Sequence, residues 1–157
     1  MGSVLIGIAA IAAFVIPVVF IHKHSQKKGE KRIQQLLNAA KEKNVNVSEY
    51  DFCNETYFLG LDAASKTLYY NKNIGGVESS LVVPLTAFNA IRVSNVSRSS
   101  GSVSIVDRVC LAATPIKKGE SDVLIELYDS GYSPSVFESI EMAKKWAAKL
   151  NAMVAPS

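Results

Sequence analysis

The chain is poor in the residues from which most catalytic sites are built. Its 157 residues include two histidines, His22 and His24, and two cysteines. Both histidines precede residue 45, so the region expected to fold as a soluble domain holds no imidazole that could act as a general base. A Walker A motif, a dinucleotide-binding glycine fingerprint and a zinc-type ligand cluster are also absent from the sequence, and His22-x-His24 offers too few ligands for a metal. We therefore predict no catalytic residues, no metal, no cofactor and no enzymatic activity.

The two cysteines, Cys53 and Cys110, are far apart in sequence and lie in apolar surroundings. Neither belongs to a C-x-x-C pair. In a reducing compartment a disulfide between them is not expected. We predict two buried thiols in the core.

Charged residues are missing from the first part of the chain. Residues 3–21 (SVLIGIAAIAAFVIPVVFI) are nineteen consecutive uncharged positions. As a helix they would be roughly 28 Å long, close to the thickness of a bilayer's hydrocarbon core. A cleaved signal peptide is the alternative, but the run has no basic n-region and is not followed by an A-x-A cleavage pattern. Residues 1–21 are therefore predicted to be a transmembrane anchor.

Positive charge is concentrated directly after this segment. Residues 22–44 contain seven Lys or Arg and two Glu, a net charge of +5, whereas residues 45–157 carry a net charge of −2. Because Lys and Arg resist translocation, this asymmetry predicts a single-pass protein of the cell membrane with its N-terminus outside and its soluble part in the cytoplasm. The mildly acidic remainder argues against nucleic acid as a partner. The candidate contacts with anionic lipid are Lys23, Lys27, Lys28, Lys31 and Arg32.

An amphipathic helix is predicted from Lys28 to about Lys43. Ile33, Leu36, Leu37 and Ala40 recur there at spacings of three and four residues, with polar residues between them. The helix could pack on the soluble domain, lie along the membrane surface or pair with another copy. Residues 22–45 thus form a basic juxtamembrane segment that includes this helix.

From Tyr50 the pattern indicates antiparallel strands. Residues 56–61 and 66–70 flank a short polar turn and predict a β-hairpin, whereas Asn71 to Gly76 has the composition of a turn that ends the pairing. Further strands are predicted at residues 80–83, 90–96, 103–114 and 123–128, with loops at residues 98–102 and 115–122. Short turns between closely spaced strands indicate an antiparallel sheet of about six to seven strands.

The last element is predicted to be a helix. Ser135 and Glu138 have the spacing of a capping box, and Pro134 precedes them. An apolar face follows at Phe137, Ile140, Ala143, Trp146 or Ala147, and Leu150. Trp146, the single tryptophan, is expected to fill the core of the sheet rather than to bind a ligand.

The order of these elements resembles the pleckstrin-homology (PH) superfold, in particular bacterial PH-like domains. The resemblance rests on Tyr57-Phe58-Leu59-Gly60-Leu61-Asp62 with Ser65-Lys66-Thr67-Leu68-Tyr69-Tyr70, on the segment from Val83 to Val93, and on Ala143 to Leu150. It implies an α+β fold at residues 46–157, an antiparallel β-sandwich or barrel closed by the C-terminal helix. It also implies a scaffold that binds phosphoinositides, peptides or proteins. The basic cage used for phosphoinositides is lacking, since the first turn carries Asp62, two alanines and one Lys66.

We therefore expect a membrane-anchored cytoplasmic binding or scaffold module that recruits a protein partner near the bilayer, for example along an open sheet edge beside the helix. The alternative is a module that reads anionic lipid through the basic segment and the domain together. Three arginines bear on this choice, namely Arg92, Arg98 and Arg108. A cationic patch shared by all three would favour binding of anionic lipid, whereas separate surface ion pairs would not. Homo-oligomerisation is also left open.

Overall fold

The computed structural model describes residues 28–154 of the chain. The predicted anchor at residues 1–21, and Lys23 and Lys27, lie outside the described residues. Within residues 28–154, none of the helices has both the length and the apolar character needed to cross a membrane. Of the described residues, 28–38 belong to one compact unit and 39–154 to another.

The described residues form an α+β fold, as predicted, with two antiparallel sheets and a C-terminal helix. Helix α1 covers residues 28–42. The first sheet has the order β1-β2-β3-β4 and the second the order β5-β6-β7. The strands are β1 (Glu49–Cys53), β2 (Tyr57–Asp62), β3 (Thr67–Ile74), β4 (Val77–Pro84), β5 (Phe88–Ser100), β6 (Val103–Pro115) and β7 (Val123–Asp129), and helix α2 is Val136–Asn151. A short 3₁₀ turn, Leu85–Ala87, joins the two sheets.

The predicted hairpin is present as β2 and β3, which pair from Tyr57 with Lys72 to Asp62 with Thr67. Its turn is held by Asp62, whose carboxylate accepts hydrogen bonds from the backbone N–H groups of Asn46 (2.9 Å) and Ser65 (3.1 Å). The bond to Ser65, three residues further on, is local and explains why the turn could be recognised from its composition.

The predicted break at Asn71 to Gly76 is wrong. Strand β3 continues to Ile74, and only Gly75 and Gly76 form the turn, with φ of +57° and +83°. Positive φ at both central residues suits a tight hairpin, so β4 starts at Val77 and pairs with β3 along its whole length. The asparagines belong to the strand because their backbone groups stay in the ladder.

The predicted loop at residues 98–102 is also shorter than expected. Strand β5 extends to Ser100, and β6 begins at Val103 after a turn at Gly101, where φ is +64°. The serine-rich ends of this hairpin are exposed. Their polar composition therefore reflects solvent contact and not the loss of strand structure.

Helix α2 closes the core. Its Ser135 cap accepts a hydrogen bond from the N–H of Glu138, which is one of the two bonds of the predicted capping box. Among the described residues the Glu138 carboxylate accepts no bond in return. Trp146 is completely buried, and its indole N–H donates to Asp51 at 2.8 Å, which confirms its predicted core position. Phe137 was assigned to the buried face, but it is 73% exposed. The buried positions of the helix are instead Ser139, Met142, Ala143, Trp146, Ala147 and Leu150.

Strand β4 is an edge of the first sheet and is largely exposed. The N–H of Leu85 donates to the carbonyl of Lys66, so the backbone groups of Leu85 point toward β3. Successive residues of a strand point their backbone groups to opposite sides, and those of Glu78, Ser80 and Val82 therefore point away from β3. At the middle of this edge, Lys43 donates a hydrogen bond to the hydroxyl of Ser80 at 2.6 Å.

Candidate functional site

The first half of β5 is an open sheet edge next to the end of helix α2. At Ile91 this edge is capped by Asn151, whose side-chain oxygen accepts from the Ile91 N–H at 2.8 Å. The Asn151 amide nitrogen donates to the Ile91 carbonyl. The two bonds are those that a neighbouring strand would make to the same residue.

Two residues further along, the edge is free. Because backbone groups alternate along a strand, those of Val93 and Asn95 point to the same side as those of Ile91, away from β6. In residues 28–154, β5 pairs with β6 alone, and neither Val93 nor Asn95 has a hydrogen bond to another segment on this side. Val93 also packs partly against the core, which holds this part of the edge in place.

The three arginines do not form a shared cationic patch. Arg92 pairs with Asp122 at 2.6 Å, and Arg98 pairs with Asp107 at 3.1 Å. Arg108 lies 3.6 Å from both Glu126 and Asp129. Each guanidinium thus pairs with a nearby carboxylate, which matches the predicted alternative of separate surface ion pairs and not that of a shared patch. This arrangement leaves little net positive charge on the second sheet for an anionic headgroup.

Glu126 on β7 is the centre of a polar network that sequence reasoning missed. Its carboxylate accepts from the hydroxyl of Tyr57 (3.2 Å), the hydroxyl of Tyr132 (2.5 Å) and the ammonium of Lys72 (3.2 Å). Tyr70 donates to its backbone carbonyl at 2.7 Å. The alternating pattern of β7 marked Glu126 as part of a mixed face, but its partners come from four other segments, namely β2, β3, β6 and the turn after β7.

Burial and the nearby carboxylate keep these phenols protonated. Burial is the main cause that raises the pKa of Tyr57 and Tyr70, with Glu126 adding to it. Burial, followed by the hydrogen bond to Glu126, raises the pKa of Tyr132 to about 12. The network therefore joins the two sheets through neutral phenols and is structural in character.

Three of the five predicted lipid-contact residues are described, and they lie on helix α1. Lys28, Lys31 and Arg32 stand at positions i, i+3 and i+4, which share one face of a helix. Lys28 and Lys31 are exposed, and Arg32 is partly buried. The sequence spacing thus becomes a basic face once the helix is formed.

Both cysteines are free and buried, as predicted. Burial is the main cause that raises the pKa of each thiol, which makes the thiolate scarce at neutral pH. Among the described residues, no group of three or more His, Cys, Asp or Glu side chains could hold a metal ion.

The sequence predicted an open sheet edge beside the helix but did not indicate which residues form it. In the structure this edge is formed by Ile91, Val93 and Asn95 of β5, next to Asn151 of α2. The contact between Ile91 and Asn151 joins positions 60 apart in the chain, so no local pattern could have revealed it. Comparison with protein-family models, curated proteins and solved structures gives no match for this chain.

Proposed function

We propose that this chain is a membrane-anchored cytoplasmic adaptor whose PH-like domain binds an extended segment of a protein partner along the open edge of β5. The observation that carries the proposal is the pair of unpaired backbone positions at Val93 and Asn95, beside the Asn151 cap. A peptide can add to such an edge through main-chain hydrogen bonds, and neighbouring side chains then provide specificity.

The PH-like assignment is supported by the order of the elements. Four antiparallel strands form one sheet, three form the next, and one helix follows and packs against the core. This is the order that the resemblance in sequence implies.

Recognition of a phosphoinositide by the first hairpin is disfavoured by its chemistry. Asp62 occupies the turn with its carboxylate held by backbone donors, and Lys66 is the one cation near it in sequence. A phosphate cage needs several cations or free backbone donors. The β5 edge is therefore the better candidate.

The test uses a random peptide library displayed on phage, selected on the full-length chain in a non-ionic detergent. Selected peptides are then measured against Asn95→Pro, which removes an outward N–H while leaving the bonds to β6 in place. Val82→Pro makes the same change on the β4 edge and is the matched control. We expect at least about a tenfold loss of affinity for Asn95→Pro and little change for Val82→Pro. The proposal would be refuted if none of the selected peptides lost affinity for Asn95→Pro.

A second candidate function, the reading of anionic lipid, is favoured by the basic face of α1 at Lys28, Lys31 and Arg32. Each such residue near an anionic surface contributes about 1 kcal/mol of attraction. The proposal applies to the basic segment together with the domain, and not to the domain by itself.

Flotation of residues 22–157 with liposomes tests this second function. Liposomes with about one-third phosphatidylserine should carry the fragment at low salt and release it at high salt. We expect flotation to be abolished when Gln replaces the five basic residues Lys23, Lys27, Lys28, Lys31 and Arg32. The control, Lys117→Gln with Lys118→Gln, removes two cations elsewhere in the chain and should leave flotation unchanged. If flotation persists after the five replacements, the basic segment is not the lipid contact.

A further inference from the structure

A second groove lies between edge strand β1 and helix α2, away from the β5 edge. It has a volume of about 390 Å³ and is lined by Asp51, Phe52, Glu138, Glu141, Met142 and Lys145. A neighbouring depression of about 360 Å³ is also lined by Phe52 and Glu138 and reaches Glu55 in the turn between β1 and β2. The two spaces are adjacent, since these two residues line both, and together they are called the groove below.

The floor of the groove is apolar and partly fixed. Phe52 is partly exposed, and its ring lies 6.5 Å from that of the fully buried Phe58. Met142 of α2 lines the same groove and is almost buried. Its flexible thioether can adapt to an apolar side chain of variable shape.

The strand side of the groove offers backbone hydrogen bonds as well. The carbonyl oxygen of Cys53 accepts a hydrogen bond from the N–H of Thr56, so the backbone of Cys53 points toward β2. Because backbone groups alternate in direction along a strand, the N–H and C=O groups of Tyr50 and Phe52 point away from β2. In the described part of the chain β1 pairs with β2 alone, so these groups are open to an added strand.

Two carboxylates on the groove have no partner. Within residues 28–154, neither Glu55 nor Glu138 forms an ion pair or a side-chain hydrogen bond, whereas every other carboxylate between Glu49 and Glu141 has a partner. The buried side-chain oxygen of Asn54, beside Glu55, also has no hydrogen-bond partner. Unmatched acceptors are thus gathered at one place.

The charge of the groove is strongly negative. Its lining carries four carboxylates and one ammonium, a net charge of −3, although the whole of residues 45–157 has a net charge of −2. The negative charge of the domain is therefore concentrated here. A partner that matches the groove needs cationic side chains next to an apolar one.

We infer that the groove between β1 and α2 binds a Lys/Arg-rich segment of a partner protein in extended form. One apolar residue of that segment lies on Phe52 and Met142, and flanking cations pair with Glu55 and Glu138. Backbone bonds to Tyr50 and Phe52 fix its direction. This interaction is independent of the β5 edge.

The test measures binding of the fluorescein-labelled peptide KRKLRKLR to the full-length chain in a non-ionic detergent by anisotropy. The double variant Glu55→Gln with Glu138→Gln should weaken binding about tenfold, since two charge pairs are lost. The matched control, Glu78→Gln with Glu120→Gln, changes net charge equally but away from the groove, and should bind as the unaltered chain does. The peptide KRKSRKSR, which lacks the apolar anchor, should bind several-fold more weakly.

Three outcomes would overturn the inference. They are no binding of KRKLRKLR, equal weakening in the two double variants, and equal affinity for the leucine and serine peptides. Far-ultraviolet circular dichroism of each variant establishes that it is folded. All four replaced glutamates are exposed, so their replacement by Gln leaves the core intact.

Discussion

The side-chain amide of Asn151 hydrogen-bonds both backbone groups of Ile91, so the last residue of α2 acts as a short strand against the β5 edge. The same amide nitrogen also donates to the carbonyl of Ala147, one turn back in the helix, at 2.8 Å. Helix and sheet are thereby fixed to each other at the point where the open edge begins.

Asn151→Ala should destabilise the domain by about 1–3 kcal/mol, because it leaves the partly buried groups of Ile91 without partners. The free energy of unfolding in urea measures the effect. Asn38→Ala, a change at an exposed position of α1, is the control and should remain within about 0.5 kcal/mol of the unaltered chain. Equal values for the two variants would mean that the Asn151 contact adds nothing to stability.

Trp146→Phe should destabilise the domain by about 2–4 kcal/mol. The replacement leaves a cavity at a fully buried position and removes the donor to Asp51. Phe137→Ala, at a position that is 73% exposed, should cost less than about 0.5 kcal/mol. Thermal unfolding followed by circular dichroism distinguishes the two, and a larger loss at Phe137 would contradict the observed burial.

Gly60→Ala should be destabilising by about 1–3 kcal/mol through overpacking. A methyl group at this position would lie 2.8 Å from Cγ2 of Val47, inside the contact distance. Gly29→Ala makes the same change in α1, where nothing lies within 4 Å, and should have no cost. Urea midpoints provide the measurement, and a neutral Gly60→Ala would show that Val47 can move aside.

Asp62→Asn should alter how stability depends on pH. The N–H groups of Asn46 and Ser65 hold the pKa of Asp62 below its ordinary value of 3.8. A pKa depressed in the folded state gives stabilisation that is complete above a pH of about 4 and is lost as the pH falls through the folded pKa. The variant should therefore be less stable than the unaltered chain at neutral pH, and the difference should narrow in acid.

Urea midpoints between neutral pH and strong acid would measure this difference. Glu120→Gln, on an exposed loop, serves as the control and should follow the unaltered chain. A gap between Asp62→Asn and the unaltered chain that stays constant with pH would exclude the proposed linkage.

The elements that could be predicted from the sequence are those fixed by near neighbours in the chain. Ser135 caps the N–H of Glu138 three residues away, and the turn after β2 is closed by Asp62 and Ser65. Such contacts leave a local signature in residue type and spacing. The predicted buried face of α2 was wrong at Phe137, which is apolar but faces solvent.

Contacts between distant segments could not be predicted. The pairing of Asn71 with Ser80 depends on a two-glycine turn whose φ values are invisible in the composition of the strand. Glu55 and Glu138 come to one groove only because α2 lies beside β1 and the turn that follows it. The candidate sites are built from these long-range contacts, whereas the class of the fold is set by local patterns.

The hydrogen bond from Lys43 to Ser80 has a consequence for solubility. Strand β4 carries the exposed apolar side chains of Val77, Leu81 and Val82 along an edge with unpaired backbone groups, a combination that promotes aggregation. A second strand added there would have to desolvate the ammonium of Lys43 or displace it from Ser80. We therefore expect this lysine to act as a gatekeeper that hinders neighbouring copies from adding strands to the β4 edge.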